Sequence, residues 1–195
     1  MSNKKKAMEA AINGNSAMLE LALQGPRSKA CANQLTNFNR AILTIAAGNP
    51  GEPGLECVKA LILAGADISH RDDSGATALM WAARCGAFLN VRELLAAGAD
   101  PLLTSADGFT ALHASGMSRC AKSTQALLAA GCPLEARAGD GKTFLDIYEQ
   151  AINSQRQVNE EFVQLVESLR ARQELMGSTC VFGAGAESAG KSPRL

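Results

Sequence analysis

A short pattern built around a threonine recurs at a fixed interval, and it constrains the fold more than any other feature of this sequence. Thr77, Thr110 and Thr143 are 33 residues apart, and each lies two positions after a glycine. A second mark keeps the same interval, namely Gly65, Gly98 and Gly131. A fixed period of this length indicates one supersecondary unit that stacks on copies of itself, so we expect a solenoid.

The residues around these threonines resemble the ankyrin repeat, whose core reads T-P-L-H-x-A at a period of about 33. Thr77 is followed by Ala-Leu-Met-Trp-Ala-Ala, Thr110 by Ala-Leu-His-Ala-Ser-Gly, and Thr143 by Phe-Leu-Asp. The resemblance covers roughly residues 5–173, and the inner repeats match better than the flanking ones. It implies an all-α repeat fold, an ankyrin-repeat solenoid of about five helix-turn-helix units with finger loops.

The repeat register divides the chain into a folded domain and a tail. Residues 1–176 are predicted to be the ankyrin-repeat domain, with a degenerate N-terminal repeat at about 5–30, central repeats at about 35–140 and C-terminal capping helices at about 143–175. Residues 177–195 are rich in Gly, Ser and Ala and predict a flexible tail. Within the repeats, the stretch from Gly48 to Gly54 predicts a loop, and Ser115-Gly116 predicts a short or irregular helix.

Composition and charge exclude several classes of function. The formal net charge is zero, so no overall field favours nucleic acid or an anionic membrane as a partner. No segment reaches the roughly 18 apolar residues of a membrane span. The six cysteines form no C-x-x-C pair and follow no zinc-ligand spacing, so we expect reduced thiols and a cytoplasmic location.

Positions that differ between repeats are the candidates for partner contact, because positions that recur hold the stack. The resemblance to ankyrin repeats implies that contacts come from the finger tips and from the exposed side of each first helix. Carried onto this chain, the expected partner-binding residues are His70, Arg71, Asp73, Ala76, Trp81, Arg84, Leu103, Thr104, Phe109, Met117, Arg137 and Lys142. They are expected to line one concave face, where apolar anchors lie among positive charges as in many interface hot spots.

Two aromatic side chains of the inner repeats carry specific expectations. Trp81 is the only tryptophan of the chain. It either projects into the groove or packs between repeats with its indole N–H satisfied. His113 occupies the histidine position of the family motif, and the resemblance implies that it ties neighbouring turns together by hydrogen bonds.

The sequence contains no set of residues to which we assign catalysis, a metal or a cofactor. Only His70 and His113 are available to activate a nucleophile, and they belong to a finger and to a packing position. The segment Gly141-Lys-Thr is not a phosphate-binding loop, because Ala136 stands where the upstream glycine is required. Acidic pairs such as Asp72-Asp73 lack calcium-loop spacing. We therefore expect that the chain is not an enzyme.

These observations predict a protein–protein interaction module that binds a folded partner protein, and neither nucleic acid nor a membrane. The alternative is an inhibitory or regulatory subunit that occludes the active site of an enzyme or toxin. A stable partner whose activity falls on binding favours the inhibitor, whereas a scaffold leaves that activity unchanged.

Overall fold

The computed structural model describes residues 3–25, 28–36, 38–153 and 160–181. These residues form helices and one isolated β-bridge, between Leu35 and Ala41. The helices are α1 (Asn3–Asn13), α2 (Ser16–Leu23), α3 (Ser28–Ala32), α4 (Ile42–Ala47), α5 (Glu52–Leu63), α6 (Ala78–Arg84), α7 (Phe88–Ala96), α8 (Ala111–Ser118), α9 (Ala121–Ala129), α10 (Phe144–Asn153) and α11 (Glu160–Val181). They divide between two compact units, with α1 to α10 in the first and α11 in the second.

The first unit is a stack of helix pairs arranged in two layers. Helices α1 and α2, α4 and α5, α6 and α7, and α8 and α9 contact each other as pairs. The inner layer runs in the order α4, α6, α8 and α10, and the outer layer in the order α2, α5, α7 and α9, with each helix touching the next. The all-α repeat fold expected from the sequence is therefore confirmed.

The recurring threonines begin the inner helices. Thr77 precedes α6, and its hydroxyl accepts a hydrogen bond from the amide of Met80. Thr110 precedes α8, and its hydroxyl accepts one from the amide of His113. A side-chain oxygen at this position satisfies an amide that the first turn of a helix leaves without a partner. The 33-residue period of the sequence therefore marks where successive inner helices begin.

Each inner helix follows a finger, a tight turn that projects from the stack. The four fingers close with hydrogen bonds from the amides of Thr36, Asp72, Ser105 and Ala138 to the carbonyls of Arg40, Ala76, Phe109 and Lys142. In the second finger, Gly75 has a φ of +73°, and a Cβ there would lie 2.8 Å from the amide nitrogen of Ala106 in the third finger. Glycine is required at this position because the backbone is left-handed and the next finger stacks directly against it.

Hydrogen bonds between fingers continue the stack outside the helices. The amide of Ala106 donates to the carbonyl of Ser74 at 2.9 Å, and the amide of Gly139 donates to the carbonyl of Asp107 at 2.7 Å. These bonds join the second finger to the third and the third to the fourth. The fingers are therefore held in fixed register along the face that they share with the inner helices.

Helix α5 begins earlier than the sequence predicts. The stretch from Gly48 to Gly54 was expected to be a loop, and this is wrong for its last three residues, because α5 starts at Glu52. Pro53 lies in the first turn, where a helix needs no amide hydrogen from it. A Cβ at Gly54 would lie 1.9 Å from the carbonyl oxygen of Asn49, so this glycine permits close packing and does not mark a loop.

Helix α8 is regular, so the expectation of a short or irregular helix is also wrong. It has eight residues, against seven in α6. Gly116 makes room for a neighbour, because a Cβ there would lie 3.2 Å from two ring carbons of Phe144 in α10. The buried Ser115 hydroxyl donates to the carbonyl of Leu112 at 2.7 Å and lies 2.9 Å from the hydroxyl of Thr124. Both departures from the repeat motif are therefore accommodated by packing.

Two asparagine side chains tie consecutive repeats at the ends of inner helices. The amide group of Asn90 in α7 donates to the carbonyl of Ala47, the last residue of α4, at 3.0 Å and to the carbonyl of Asn49, which follows α4, at 2.7 Å. The amide group of Asn49 in turn donates to the carbonyls of Ala11 at 2.6 Å and Ile12 at 3.1 Å in α1. The carbonyls of Ala47, Ala11 and Ile12 lie in the last turns of α4 and α1, where a helix leaves carbonyls without partners.

The second unit contains α11, which places Phe162, Val166 and Leu169 at helical spacing along one face. Its predicted role as part of a cap stays a prediction. Helix α11 runs to Val181, so residues 177–181 of the predicted tail are helical, and residues 182–195 lie outside the described residues. Within the part of the chain that the structure describes, none of the helices has the length and apolar character needed to cross a membrane.

Candidate functional site

A cavity of about 250 Å³ lies where α6 and α8 meet the second and third fingers. We call it the α6–α8 cavity. Its lining residues are Ser74, Ala76, Met80, Trp81, Arg84, Ser105, Asp107, Phe109, Thr110, Ala114 and Met117. Five of the twelve residues expected to bind a partner are brought together here: Ala76, Trp81, Arg84, Phe109 and Met117.

Trp81 joins the cavity to the second finger. It lies in the middle of α6, and its indole N–H donates to a carboxylate oxygen of Asp72 at 2.9 Å. The guanidinium of Arg40 lies 4.0 Å from the centre of the indole ring, and that of Arg84 lies 5.1 Å from it. Trp81 therefore combines the two arrangements expected from the sequence, because it packs between repeats with its N–H satisfied and still lines the cavity.

Asp72 organises the second finger and anchors the indole. One carboxylate oxygen accepts hydrogen bonds from the amides of Ser74 and Ala76, each at 3.0 Å, and from the Ser74 hydroxyl at 2.6 Å. The other oxygen accepts from Trp81 and lies 3.7 Å from Nε of Arg40. Burial raises the pKa of the Asp72 carboxyl, but these hydrogen bonds outweigh it, so the pKa lies below its usual value. Asp72 is therefore a charged structural anchor.

Arg84 ends α6 at the rim of the cavity, and its side chain is exposed. Its guanidinium contacts the indole ring of Trp81, and among the described residues no carboxylate pairs with it. An arginine on an aromatic face keeps its planar set of donors available, because the ring supports the guanidinium without using its N–H groups. The site thus presents a supported cation to the solvent.

Phe109 and Met117 provide the apolar surface of the third repeat. Met117 is 48% exposed, which is high for a large apolar side chain. Phe109 is half-buried, and its ring lies edge-on to the ring of His113 with a centroid distance of 5.7 Å. Met117 is therefore open to a partner, whereas Phe109 also contributes to the packing of its own repeat.

His113 is fully buried and forms hydrogen bonds to two segments of the stack. Its Nδ1 accepts from the amide of Thr110 at 3.2 Å, so Nε2 carries the hydrogen that it donates to the carbonyl of Ala136 at 3.0 Å. Burial lowers the pKa of His113, and hydrogen bonding only partly offsets this effect. The role expected for this residue, tying neighbouring turns together, matches this geometry.

Two of the expected contact residues in the second finger hold fingers together. Nε2 of His70 lies 2.6 Å from the carbonyl of Asn39 in the first finger and donates to it. Arg71 donates from Nε to the carbonyl of Gly75 at 3.1 Å, and a terminal nitrogen donates to the carbonyl of Thr104. Their side chains therefore bridge consecutive repeats.

The remaining expected contact residues are spread over three fingers outside the cavity lining. Arg137 donates to the carbonyl of Gly141 at 2.8 Å, repeating the contact of Arg71 two repeats later. Lys142 forms an exposed salt bridge with Asp140 at 2.8 Å. The others are Asp73, Leu103 and Thr104, of which Asp73 and Thr104 are exposed and Leu103 is half-buried.

Sequence reasoning missed Arg40 and Asp72, which complete the arrangement around Trp81. Arg40 holds in the first finger the position of Ala76, Phe109 and Lys142 in the other three. Those three were selected as residues beside each finger turn, and a step of 36 residues from Ala76 leads to Arg40. The signal for Arg40 was therefore present in the alignment of the repeats.

The remaining chemical features of the described residues are their metal-binding capacity, their cysteines and the polar side chains of the cavity. Across the described residues, no group of three or more His, Cys, Asp or Glu side chains is placed to hold a metal ion. The cysteines Cys31, Cys57, Cys85, Cys120 and Cys132 are free thiols. The α6–α8 cavity itself offers apolar surface, one arginine, one exposed aspartate and serine side chains.

Stacked helix pairs with projecting fingers define a class, the helical repeat solenoids, in which each unit contacts its neighbours in the stack. A profile of ankyrin repeats (3 copies) matches residues 7–105 and again residues 45–138. These matches cover more than half of the chain, and the chain therefore belongs to the ankyrin-repeat family. Ankyrin repeats are generally protein–protein interaction modules and typically are not enzymes. No curated protein matches the chain significantly.

Proposed function

We propose that this chain binds a folded partner protein through its finger loops and the concave helical face, with the α6–α8 cavity at the centre of the contact. The observation that carries the proposal is the exposed apolar and cationic surface at the cavity rim. Arg84 and Met117 stand there without a role in the core of the stack. Interface hot spots favour this combination of a large apolar group and an arginine.

The fingers support the proposal because they form a pre-organised surface. Hydrogen bonds join the second finger to the third and the third to the fourth. A partner that binds such a surface loses less free energy to ordering than one that binds independent loops. The remaining expected contacts, His70, Arg71, Asp73, Leu103, Thr104, Arg137 and Lys142, belong to these fingers and extend the proposed surface on either side of the cavity.

The proposal is tested by affinity capture with two matched double variants. Arg84→Ala with Met117→Ala removes the rim of the cavity, whereas Arg92→Ala with Lys122→Ala removes exposed cations from the outer helices α7 and α9. The first variant is expected to weaken binding of the captured partner by about 2–4 kcal/mol, and the second by a few tenths. Circular dichroism confirms that both variants are folded.

Loss of binding in the outer-helix variant with retention in the cavity variant would contradict the proposal. The alternative function, an inhibitory or regulatory subunit that occludes the active site of an enzyme or toxin, uses the same surface. It is separated from a scaffold by measuring the activity of the captured partner with and without one equivalent of this chain.

A further inference from the structure

We infer that the α6–α8 cavity accepts an acidic segment of the partner protein, in which a large apolar side chain enters the cavity and a neighbouring carboxylate pairs with Arg84. This inference rests on the proposed function and adds the chemistry of the partner. It follows from three features of the cavity, namely the charge left open at its rim, the support of that charge by Trp81, and the apolar groups behind it.

Among the described residues, Arg84 is a cation of the cavity lining that has no anionic partner. The carboxylate nearest to the indole belongs to Asp72, and its two oxygens already receive bonds from Ser74, Ala76 and Trp81. Arg40 is the cation that lies beside that carboxylate, at 3.7 Å. Within the described residues, Arg84 has no acidic partner, so a carboxylate from another protein adds a pair and displaces none.

The geometry of Arg84 favours a carboxylate over a single-atom acceptor. The guanidinium lies 5.1 Å from the centre of the Trp81 ring, so part of its conformational freedom is already restricted before a partner arrives. A planar guanidinium presents two parallel N–H groups that match the two oxygens of a carboxylate. Because the guanidinium is weakly hydrated, it also loses less hydration than an ammonium group on pairing.

The apolar part of the cavity selects the residue next to that carboxylate. Met80, Ala114 and Met117 line it together with the Phe109 ring. Methionine side chains adapt their shape to the group they meet, and a volume of about 250 Å³ is sufficient for one large side chain. An apolar side chain is therefore expected beside the acidic residue, and a segment of charge alone would leave this surface unpaired.

Asp107 is a second charged residue of the cavity lining, with the opposite charge to Arg84. It lines the cavity on the side of the third finger, and its side chain is exposed. Its carboxylate carries the same charge as an acidic segment bound at the cavity and therefore repels that segment. Removal of its charge is therefore expected to strengthen binding of an acidic segment, whereas removal of the charge of Arg84 weakens it.

The test uses a library of tryptophan-free dodecapeptides displayed on phage and selected against the full chain. Peptides that bind are expected to carry Asp or Glu beside a large apolar residue. Because Trp81 is the only tryptophan, its fluorescence then reports binding of each synthetic peptide at the cavity. Arg84→Gln is expected to weaken an acidic peptide by at least about 5-fold and Arg84→Glu by at least about 10-fold, while Asp107→Asn strengthens it by about 2-fold.

The matched control is Arg92→Glu. Arg92 in α7 lies 5.8 Å from the centre of the Phe88 ring, which is the same kind of contact on an outer helix. This variant is expected to leave the affinity of the acidic peptide within about 2-fold of the unchanged chain. Arg84→Gln keeps most of the volume of the side chain, so it tests the charge even where Arg84→Glu disturbs folding.

Several results would overturn this inference. One is a selection that enriches no peptides, or only peptides without acidic residues. Another is an equal loss of binding in the Arg84 and Arg92 variants. A third is binding of a homopolymeric oligonucleotide that Arg84→Gln releases, which would identify the ligand of Arg84 as nucleic acid. If a captured partner is lost in the Arg84 and Met117 double variant while the selected peptides are neutral or basic, the proposed function holds and this inference fails. If that double variant retains its partner, the proposed function itself fails.

Discussion

The two inner repeats tie themselves to their neighbours from adjacent positions of the repeat, but with opposite chemistry. At the period of 33 residues, His113 is equivalent to Met80, the residue before Trp81. In the repeat of α6, Trp81 and Asp72 form a charged and partly exposed arrangement with Arg40 of the preceding finger. In the repeat of α8, His113 is fully buried and neutral, and it bonds to Ala136 of the following finger. The α6 repeat thus contacts the preceding finger through charged side chains, whereas the α8 repeat contacts the following finger through a neutral side chain.

This difference shows why regular and irregular positions of a repeat protein have different roles. A buried neutral histidine satisfies all of its groups within the stack and leaves nothing for a partner. The charged arrangement satisfies Asp72 and Trp81 but leaves Arg84 supported and unpaired at the rim. The surface available for recognition therefore combines the unpaired Arg84 of the α6 repeat with the exposed Met117 of the α8 repeat.

The largest expected effect tests whether the two repeats belong to one stack. Leu94 and Leu127 are fully buried in α7 and α9, 33 residues apart. Changing either to alanine is expected to lower the free energy of unfolding by about 2–5 kcal/mol, because each change removes buried apolar surface and leaves a cavity. Urea unfolding measures both, and Leu63→Ala, at a side chain that is 87% exposed, is the control. A loss below about 1 kcal/mol at either leucine would show that the two positions are not equivalent.

An intermediate effect is expected from His113→Gln, about 1–3 kcal/mol, because the flexible glutamine side chain lacks the rigid ring that fixes an acceptor at Thr110 and a donor at Ala136. The change also tests pH dependence. The pKa of His113 in the folded chain lies below the ordinary 6.5, so the unfolded chain takes up a proton first as the pH falls below about 6.5. The unchanged protein is therefore expected to lose stability in this range.

The glutamine variant should lose this part of the pH dependence, because glutamine does not titrate. Stability measured by urea unfolding at several pH values between neutrality and pH 5 provides the comparison. An identical slope in the two proteins would mean that His113 takes up a proton without cost, and that it is not held neutral as described.

The smallest effect is expected from Asp72→Asn, about 1 kcal/mol at neutral pH, because the charge opposite Arg40 is lost while one side-chain oxygen remains for the finger. The pKa of Asp72 lies below its ordinary value of 3.8. Its stabilising contribution is therefore present above about pH 3.8 and disappears as the pH falls through the lower folded value. The emission of Trp81 should shift in the variant. An unchanged spectrum would argue against the contact between Asp72 and the indole.

The fold could be predicted from the sequence because the residues that define each repeat act on neighbours in the chain. Thr77 and Thr110 begin helices through a bond to an amide three residues away, and Gly75 turns a finger through its own backbone. Such contacts depend on residues that are adjacent in the chain. The wrong expectations concern Gly54 and Gly116, where the reason for the glycine is a neighbour in space, the carbonyl of Asn49 or the ring of Phe144.

The site was less predictable because its contacts join residues that are distant in the chain and meet only in the folded structure. Alignment of the repeats selected Ala76, Arg84, Phe109 and Met117, which line one cavity. It could not assign a partner to Trp81, because the indole meets Asp72 only when the finger folds back over α6. A salt bridge or a cation on an aromatic ring depends on side-chain direction, and the period of a sequence carries no information about that direction.

Amide hydrogen exchange of the chain, with and without its captured partner, tests whether the partner binds to the fingers and the concave helical face. Binding is expected to slow exchange in the second and third fingers, residues 72–76 and 105–109, and in the C-terminal turns of α6 and α8. Exchange in α7 and α9 should change little. Slower exchange confined to α7 and α9, with unchanged exchange in the fingers, would place the partner on the outer helices and contradict the proposed binding surface.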